Sequence, residues 1–313
     1  MKSQYVNELR TGQSVKEQFV LSKKIIKDKK DGGYYAILEF SDRTGSIDGI
    51  SWSGEDLNNI SVGDFVFITG NVSEYGGRPQ VVVNSIRLGN DEDIDPKDFL
   101  PQYAGDIGEV LAAIHGFRKR VKNQHLRHLL DTFFDDSAFI ESFSLAPAAK
   151  RVHHVYLGGL AVHTLSVLKL LENAKSVYDF IDADLLITAG ILHDIGKIHE
   201  YTYQKRIDIS DQGRLLGHIV IGSEMVTQRI SQMADFPDDL RLKLVHMILS
   251  HHGEVEWGSP KPPLFPEALI LHFADNLDSK VEMMKQVFEQ HRGTNRQWSD
   301  YHPYLEREVF LGE

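Results

Sequence analysis

Leu192-His193-Asp194-Ile195-Gly196-Lys197 sets an imidazole and a carboxylate side by side in an apolar stretch whose spacing predicts a helix around residues 183–196. A single histidine in such a setting is usually a satisfied core residue. Four further stretches repeat the pattern: Gly158 to Thr164 around His163, Gly217-His218, Ser250-His251-His252-Gly253, and Phe273 to Asp278 around Asp275. Five polar intrusions into apolar helices within about 115 residues are hard to explain one at a time. Buried polar groups need partners, and a bound cation satisfies all of them together.

The ligand chemistry is coherent. Imidazole with carboxylate and no thiolate suits Mn²⁺, Fe²⁺, Co²⁺ or Zn²⁺. His193 and Asp194 can share one divalent ion while the Asp194 carboxylate bridges to a second. Two ions roughly 3.5–4 Å apart activate a water and stabilise the leaving oxygen of a phosphodiester. Lys197, four residues after His193 and three after Asp194, falls on the same helical face, close to a bound phosphate. The competing reading is a helix-end lysine that interacts favourably with the dipole.

The order His163, His193-Asp194, His218, His251-His252, Asp275 resembles the HD superfamily of metal-dependent phosphohydrolases, with HDIGK its most characteristic stretch. The resemblance implies metal ligation by His163, His193, Asp194, His218, His251 and Asp275. His252 joins them if both members of the pair ligate, and Asp278 is the alternative carboxylate on the same face. His193, Asp194 and Lys197 form the expected catalytic set.

Outward from this region, helical periodicity continues on both sides. Ile107, Val110, Leu111 and Ile114 recur at three- and four-residue spacing, as do Leu126, Leu129, Leu130 and Phe133. Further helices are expected near 160–173, 217–233, 238–251 and 266–290. Residues 103–313 therefore read as an all-helical domain. Asn90 to Pro101, acidic and with two prolines, reads as the boundary, with 91–102 as a linker.

Residues 1–90 read differently. Phe19 to Ile26, Tyr34 to Phe40, Ile47 to Trp52, Phe65 to Thr69 and Gln80 to Ile86 are short strand-like runs. Turns at Asp42-Arg43-Thr44-Gly45, Val62-Gly63-Asp64 and Tyr75-Gly76-Gly77-Arg78 separate several of them. The expected fold is thus a multidomain α and β protein, a five-stranded barrel followed by helices. The order of strands and turns resembles the OB-fold of the nucleic-acid-binding type. Tyr34, Tyr35, Trp52 and Tyr75 are the candidates for base stacking, and Lys27 and Arg78 are among those for phosphates. The alternative for each aromatic is barrel core or turn packing.

Composition bounds the function. The chain has 313 residues, no cysteine and a net charge of −11. Disulfides and thiolate sites are excluded. No apolar run of membrane-spanning length appears and the N-terminus lacks an apolar signal core, so the protein is expected to be cytoplasmic, with no membrane partner. Residues 1–90 hold 11 basic and 11 acidic residues, whereas the remainder holds 23 and 34. All 15 histidines lie at or after His115. An acidic chain is a poor non-specific binder of nucleic acid, so RNA binding has to rest on local features or metal ions.

The whole layout, with His153-His154-x-Tyr156-x-Gly158-Gly159 ahead of the first ligand, is similar to the YhaM-type 3′→5′ exoribonucleases. Val162 departs from that pattern, which has an acidic residue before the histidine. The resemblance implies single-stranded RNA as substrate, with single-stranded DNA as a further possibility, and manganese as the usual metal. His153 and His154 are placed at substrate phosphate, or else in helix-start packing. A phosphohydrolase of small nucleotides or cyclic dinucleotides, and a nucleic-acid-binding module with an inactive helical domain, are the competing functions. The aromatic tail Trp298, Tyr301 and Tyr304 is expected to dock on the body or form a subunit contact, which leaves a homo-oligomer open.

Overall fold

The computed structural model describes residues 2–30, 32–52, 57–89, 94–150, 154–204 and 206–312. The described residues fall into two compact units, 2–102 with 203–207, and 103–202 with 208–312.

Five strands build the first unit: β1 (Ser14–Asp28), β2 (Tyr34–Asp42), β3 (Gly45–Ser51), β4 (Phe65–Tyr75) and β5 (Arg78–Leu88). They close into a barrel in the order β1-β2-β3-β5-β4. The β3–β5 pairing is parallel and the others are antiparallel. The strands run longer than their apolar runs predict, because polar residues continue the ladders beyond the core. β1 serves two partners. Residues Ser14 to Val20 pair with β4 and residues Val20 to Asp28 with β2, with an irregularity between Leu21 and Lys23. Such a bulge bends a strand and lets one segment turn the barrel corner. Alternating residues Phe19, Leu21, Leu38, Phe40 and Ile68 fill the interior. The β4–β5 hairpin turns at Gly76 and Gly77, both at positive φ (59° and 78°). That conformation is what a tight hairpin requires and what glycine adopts without penalty.

Nine helices among the described residues dominate the second unit: α1 (Ile107–Arg120), α2 (Gln124–Phe134), α3 (Ser137–Leu145), α4 (Gly159–Val177), α5 (Ala183–Leu192), α6 (Lys197–Glu200), α7 (Asp211–Ser231), α8 (Asp238–Ser250) and α9 (Pro266–Gln290). Asp106, Asn123, Asp136, Asp182 and Ser210 cap five of them through side-chain acceptors. α5 is buried from Leu185 to Leu192, as its unbroken apolar sequence requires, and packs against α4, α8 and α9. Two features depart from expectation. α3 carries too few periodic residues to be seen in sequence, and strands β6 (Tyr201–Thr202) and β7 (Asp208–Ile209) form a short antiparallel pair within the helical region. Among the described residues no helix is long and apolar enough to cross a membrane.

Candidate functional site

The predicted helix over 183–196 is two elements. α5 stops at Leu192, His193 occupies its C-cap, and α6 begins at Lys197. Gly196 explains the break. A Cβ there would lie 2.0 Å from the carbonyl oxygen of His218 and 2.6 Å from the amide nitrogen of Gly222. Only glycine lets this turn approach α7 so closely. His193 and Asp194 are thereby presented from a tight turn, beside a kink at Gly217 that sets the direction of His218.

Three groups of ligand-type side chains result, of which two meet at Asp194: His163, His193, Asp194 and Asp275; and His218, His251 and His252; the third joins His154, His163 and Asp278. In the first, His163 Nε2 lies 3.1 Å from Asp275 Oδ1, 3.3 Å from Asp194 Oδ2 and 3.3 Å from His193 Nε2. In the second, His218 Nε2 and His252 Nε2 are 3.3 Å apart. Asp194 spans the two. Its Oδ2 faces the first group, while its Oδ1 lies 3.5 Å from both His218 Nε2 and His251 Nε2.

All five rings are held through Nδ1. The Nδ1–H of His193, His251 and His252 donates to the carbonyl oxygens of Gly190, Ile248 and Trp257, at 2.9, 2.7 and 2.8 Å. His218 donates to Glu200 at 3.0 Å and His163 to Asp278 at 2.7 Å. Each Nε2 therefore faces the centre, the arrangement by which outer hydrogen bonds orient metal-binding imidazoles.

Two buried atoms here, Asp194 Oδ1 and His251 Nε2, have no hydrogen-bond partner. Orphaned buried polar atoms are rare, and a cation between them would satisfy both. The donor set of nitrogens and carboxylate oxygens fits a divalent transition metal. Protonation follows the same field. Burial opposes a charged His163, but hydrogen bonds to Asp194, Asp275 and Asp278 outweigh it and hold its pKa well above the ordinary value. His193 and His252 lack such anchors, and burial lowers them to about 4 and about 3. Burial would raise Asp275, but the hydrogen bond and charge of His163 hold it far below the usual carboxylate range.

The barrel carries a groove of about 1050 Å³ lined by Tyr35, Trp52 and Tyr75, by Lys23, Lys29 and Lys30, and by Asp28, Asp48 and Glu74. Trp52 and Tyr75 are 56% and 76% exposed, so they are not core residues. Tyr35 stacks on Trp52 with ring centroids 5.8 Å apart. Lys29 donates to the Trp52 carbonyl oxygen, and its ammonium lies 5.8 Å from the indole. Tyr34, Lys27 and Arg78 are exposed, but do not line this groove.

Comparison with known proteins agrees with both regions. The HD domain family matches residues 160–280, and the family described as OB-fold nucleic acid binding domain matches residues 20–88. The protein named 3′-5′ exoribonuclease YhaM of Bacillus licheniformis is 35% identical over 269 residues, covering 83% of each chain. That of Bacillus subtilis is 34% identical over 280 residues, covering 88% of each. The chain belongs to the YhaM family. Its expected architecture, an OB-type barrel followed by a helical HD domain, is the one observed.

Several residues of this YhaM-family chain sit differently from the sequence reading. Lys197 is buried, with Nζ 2.7 Å from Asp194 Oδ2. Its partner is thus a carboxylate of the cluster. His154 was expected at substrate phosphate or in packing. It is 3% exposed, and its two ring nitrogens contact Tyr156 Oη at 2.7 Å and Asp278 at 3.1 Å. Both ring nitrogens are thus engaged within the protein. His153 lies outside the described residues. The tail does dock, through Leu305 and Val309 against Met283 and Val287 of α9, while Trp298, Tyr301 and Tyr304 stay about half exposed. Glu200 was not foreseen. Its signal is weak, an acidic residue three after Lys197 at the end of a short helix.

Proposed function

We propose that this chain is a divalent-metal-dependent 3′→5′ exoribonuclease acting on single-stranded RNA. One observation carries the reading most: Asp194 divides its two carboxylate oxygens between two separate imidazole groups. His163, His193, Asp275 and Asp194 Oδ2 would hold one ion, and His218, His251, His252 and Asp194 Oδ1 a second. Manganese is the ion we favour, with Fe²⁺, Co²⁺ and Zn²⁺ compatible with the donors. When bound, such ions supply Lewis acidity that activates a water and stabilises the leaving oxygen of a phosphodiester. The protein's part is to hold five Nε2 lone pairs inward. Lys197 offsets part of the charge on Asp194. Glu200 fixes the ring of His218.

The names of the relatives support RNA as substrate and the 3′→5′ direction. The exposed aromatics beside lysines in the barrel groove support single-strand capture, since every base has a face to stack. That chemistry does not read the 2′-hydroxyl, so single-stranded DNA is included as a slower or equal substrate. A nucleotide phosphohydrolase would have no use for this groove.

The deciding experiment is digestion of single-stranded RNA labelled at the 5′ end, with Mn²⁺, Mg²⁺, Co²⁺ and Zn²⁺ in turn, beside a panel of nucleotides and cyclic dinucleotides. A ladder shortening from the 3′ end is expected in the presence of metal. Hydrolysis of the nucleotide panel with intact RNA would overturn the proposal.

A further inference from the structure

The motif His153-His154-x-Tyr156-x-Gly158-Gly159 has no part in the two imidazole groups, yet its described portion leads directly to one of them. Asp278 Oδ2 receives two donors, His163 Nδ1–H at 2.7 Å and His154 Nε2–H at 3.1 Å. A carboxylate oxygen can only accept, so both rings must carry a proton on the nitrogen that faces it. With Nε2 protonated, the neutral ring of His154 has a lone pair on Nδ1, and the Tyr156 hydroxyl, 2.7 Å away, donates to it. Hydrogen bonding thus runs in one direction, from Tyr156 to His154 to Asp278, with His163 donating to the same oxygen from the other side.

The segment is anchored at both ends. The His154 carbonyl oxygen accepts from the amide of Ala148 at 3.3 Å, and the Tyr156 ring stacks on Tyr103 with centroids 6.2 Å apart. His154 adopts φ = 50°, a conformation that costs a non-glycine residue energy and persists only where surroundings enforce it.

We infer that Tyr156, His154 and Asp278 form a positioning relay that fixes the ring of His163, with Nδ1–H on Asp278 and Nε2 turned toward Asp194 and Asp275. Among the five rings of the site, only His163 and His218 rest on a carboxylate, and only for His163 is that carboxylate itself held by a second imidazole. An anionic acceptor makes an imidazole a stronger donor to a metal than a carbonyl does. The relay concerns the proposed metal centre and rests on that reading, but the hydrogen-bond chain exists without any ion.

The test has two arms. In the metal-free protein labelled with ¹⁵N-histidine, the Nδ1–H proton of His163 should appear far downfield and exchange slowly. It should move upfield or vanish in Asp278→Asn, whose acceptor is neutral. In the second arm, Mn²⁺ affinity is measured by competition with a chelating dye. Asp278→Asn should weaken it by about 10–100-fold, the range for loss of an outer hydrogen-bond partner. His154→Ala should weaken it by a smaller factor. His154→Gln should restore most of that loss, because the glutamine amide can donate to Asp278 and accept from Tyr156. A simple filling role would not discriminate in this way. Unaltered Mn²⁺ affinity in Asp278→Asn, or no rescue by His154→Gln, would overturn the relay. If the wild-type protein binds no Mn²⁺, the proposed metal centre fails, and the proton resonance alone decides the relay.

Discussion

Among the described residues each unit holds an enclosed lysine, and the two pKa values are shifted in opposite directions. In the barrel unit Lys2 has a side chain only 2% exposed, 3.4 Å from Asp42 and 3.6 Å from the centre of the Phe19 ring. Burial outweighs its anionic neighbours and lowers its pKa to about 8. In the helical unit the side chain of Lys197 is 7% exposed. Burial opposes its charge too, but Asp194 foremost, then Asp275 and Glu200, raise its pKa above the ordinary value. The side chain and its enclosure are alike, so the sign comes from the surrounding carboxylates. Asp194, Asp275 and Glu200 act together on one lysine, leaving an excess of negative charge suited to additional cations. Asp42, by contrast, is already engaged by the amides of Val6 and Thr44.

The comparison can be broken at several points. The largest effect is expected from Asp194→Ala, which removes the carboxylate common to both imidazole groups. RNA hydrolysis should fall by more than about 10³-fold, with bound metal lost and far-UV circular dichroism kept. Wild-type turnover at matched metal occupancy would show that the charge excess is not catalytic.

Next is Lys197→Ala. It makes the site more negative, so metal should be retained. Single-turnover hydrolysis should nonetheless slow, by less than in Asp194→Ala, because the carboxylate between the two imidazole groups loses its charged partner. Lys197→Arg should recover only part, because a wide planar fork replaces a compact charge. Metal content measured on the same samples separates the cases: metal loss would mean that the lysine serves only to orient Asp194.

In the barrel unit, Trp52→Ala removes a stacking face rather than a charge. Affinity for single-stranded RNA should drop by about 1–3 kcal/mol per stacked base. Fluorescence anisotropy would read that loss, and KM should rise while turnover at saturating RNA stays. A fall in turnover at unchanged affinity would contradict a division of labour between the units.

The smallest effect concerns Lys2 itself. Its pKa falls from 10.5 in the unfolded chain to about 8 in the folded one. The folded state therefore binds this proton less well, and keeping the charge costs stability in full below pH 8. That cost is relieved as pH rises from 8 toward 10.5. Relative to Lys2→Met, the wild-type protein should gain about 1–2 kcal/mol between pH 8 and pH 10 in urea unfolding. A flat difference would mean that its neighbours compensate the burial after all.

How much of this is legible in sequence differs between the units for physical reasons. Strand alternation and turn residues mark all five barrel strands, because inward and outward residues differ sharply in polarity. The ends are misjudged where polar residues extend β1, β4 and β5. In the helical unit the seven ligand-type residues stand out, since each interrupts an apolar run. Their support does not. Glu200 looks like an ordinary polar residue, Asp278 reads as an alternative ligand rather than as the acceptor of His163 Nδ1–H, and the internal placing of His154 depends on the left-handed backbone at that residue and on α9, more than a hundred residues away. Lys197 reads equally well as a phosphate contact or a dipole partner until the turn at Gly196 fixes where its ammonium goes.

The anchoring of five imidazoles through Nδ1 has a consequence for supply and exchange. Where a metal must organise its own ligands, removing it unfolds the domain. Here backbone carbonyls and carboxylates order the rings beforehand, so the scaffold can stand without its ions. Chelation should then be reversible, and ions should swap in a folded protein. On the proposed metal centre, the resident ion would be set by which compatible divalent cation the surroundings provide, and activity would follow metal availability without new synthesis of the chain.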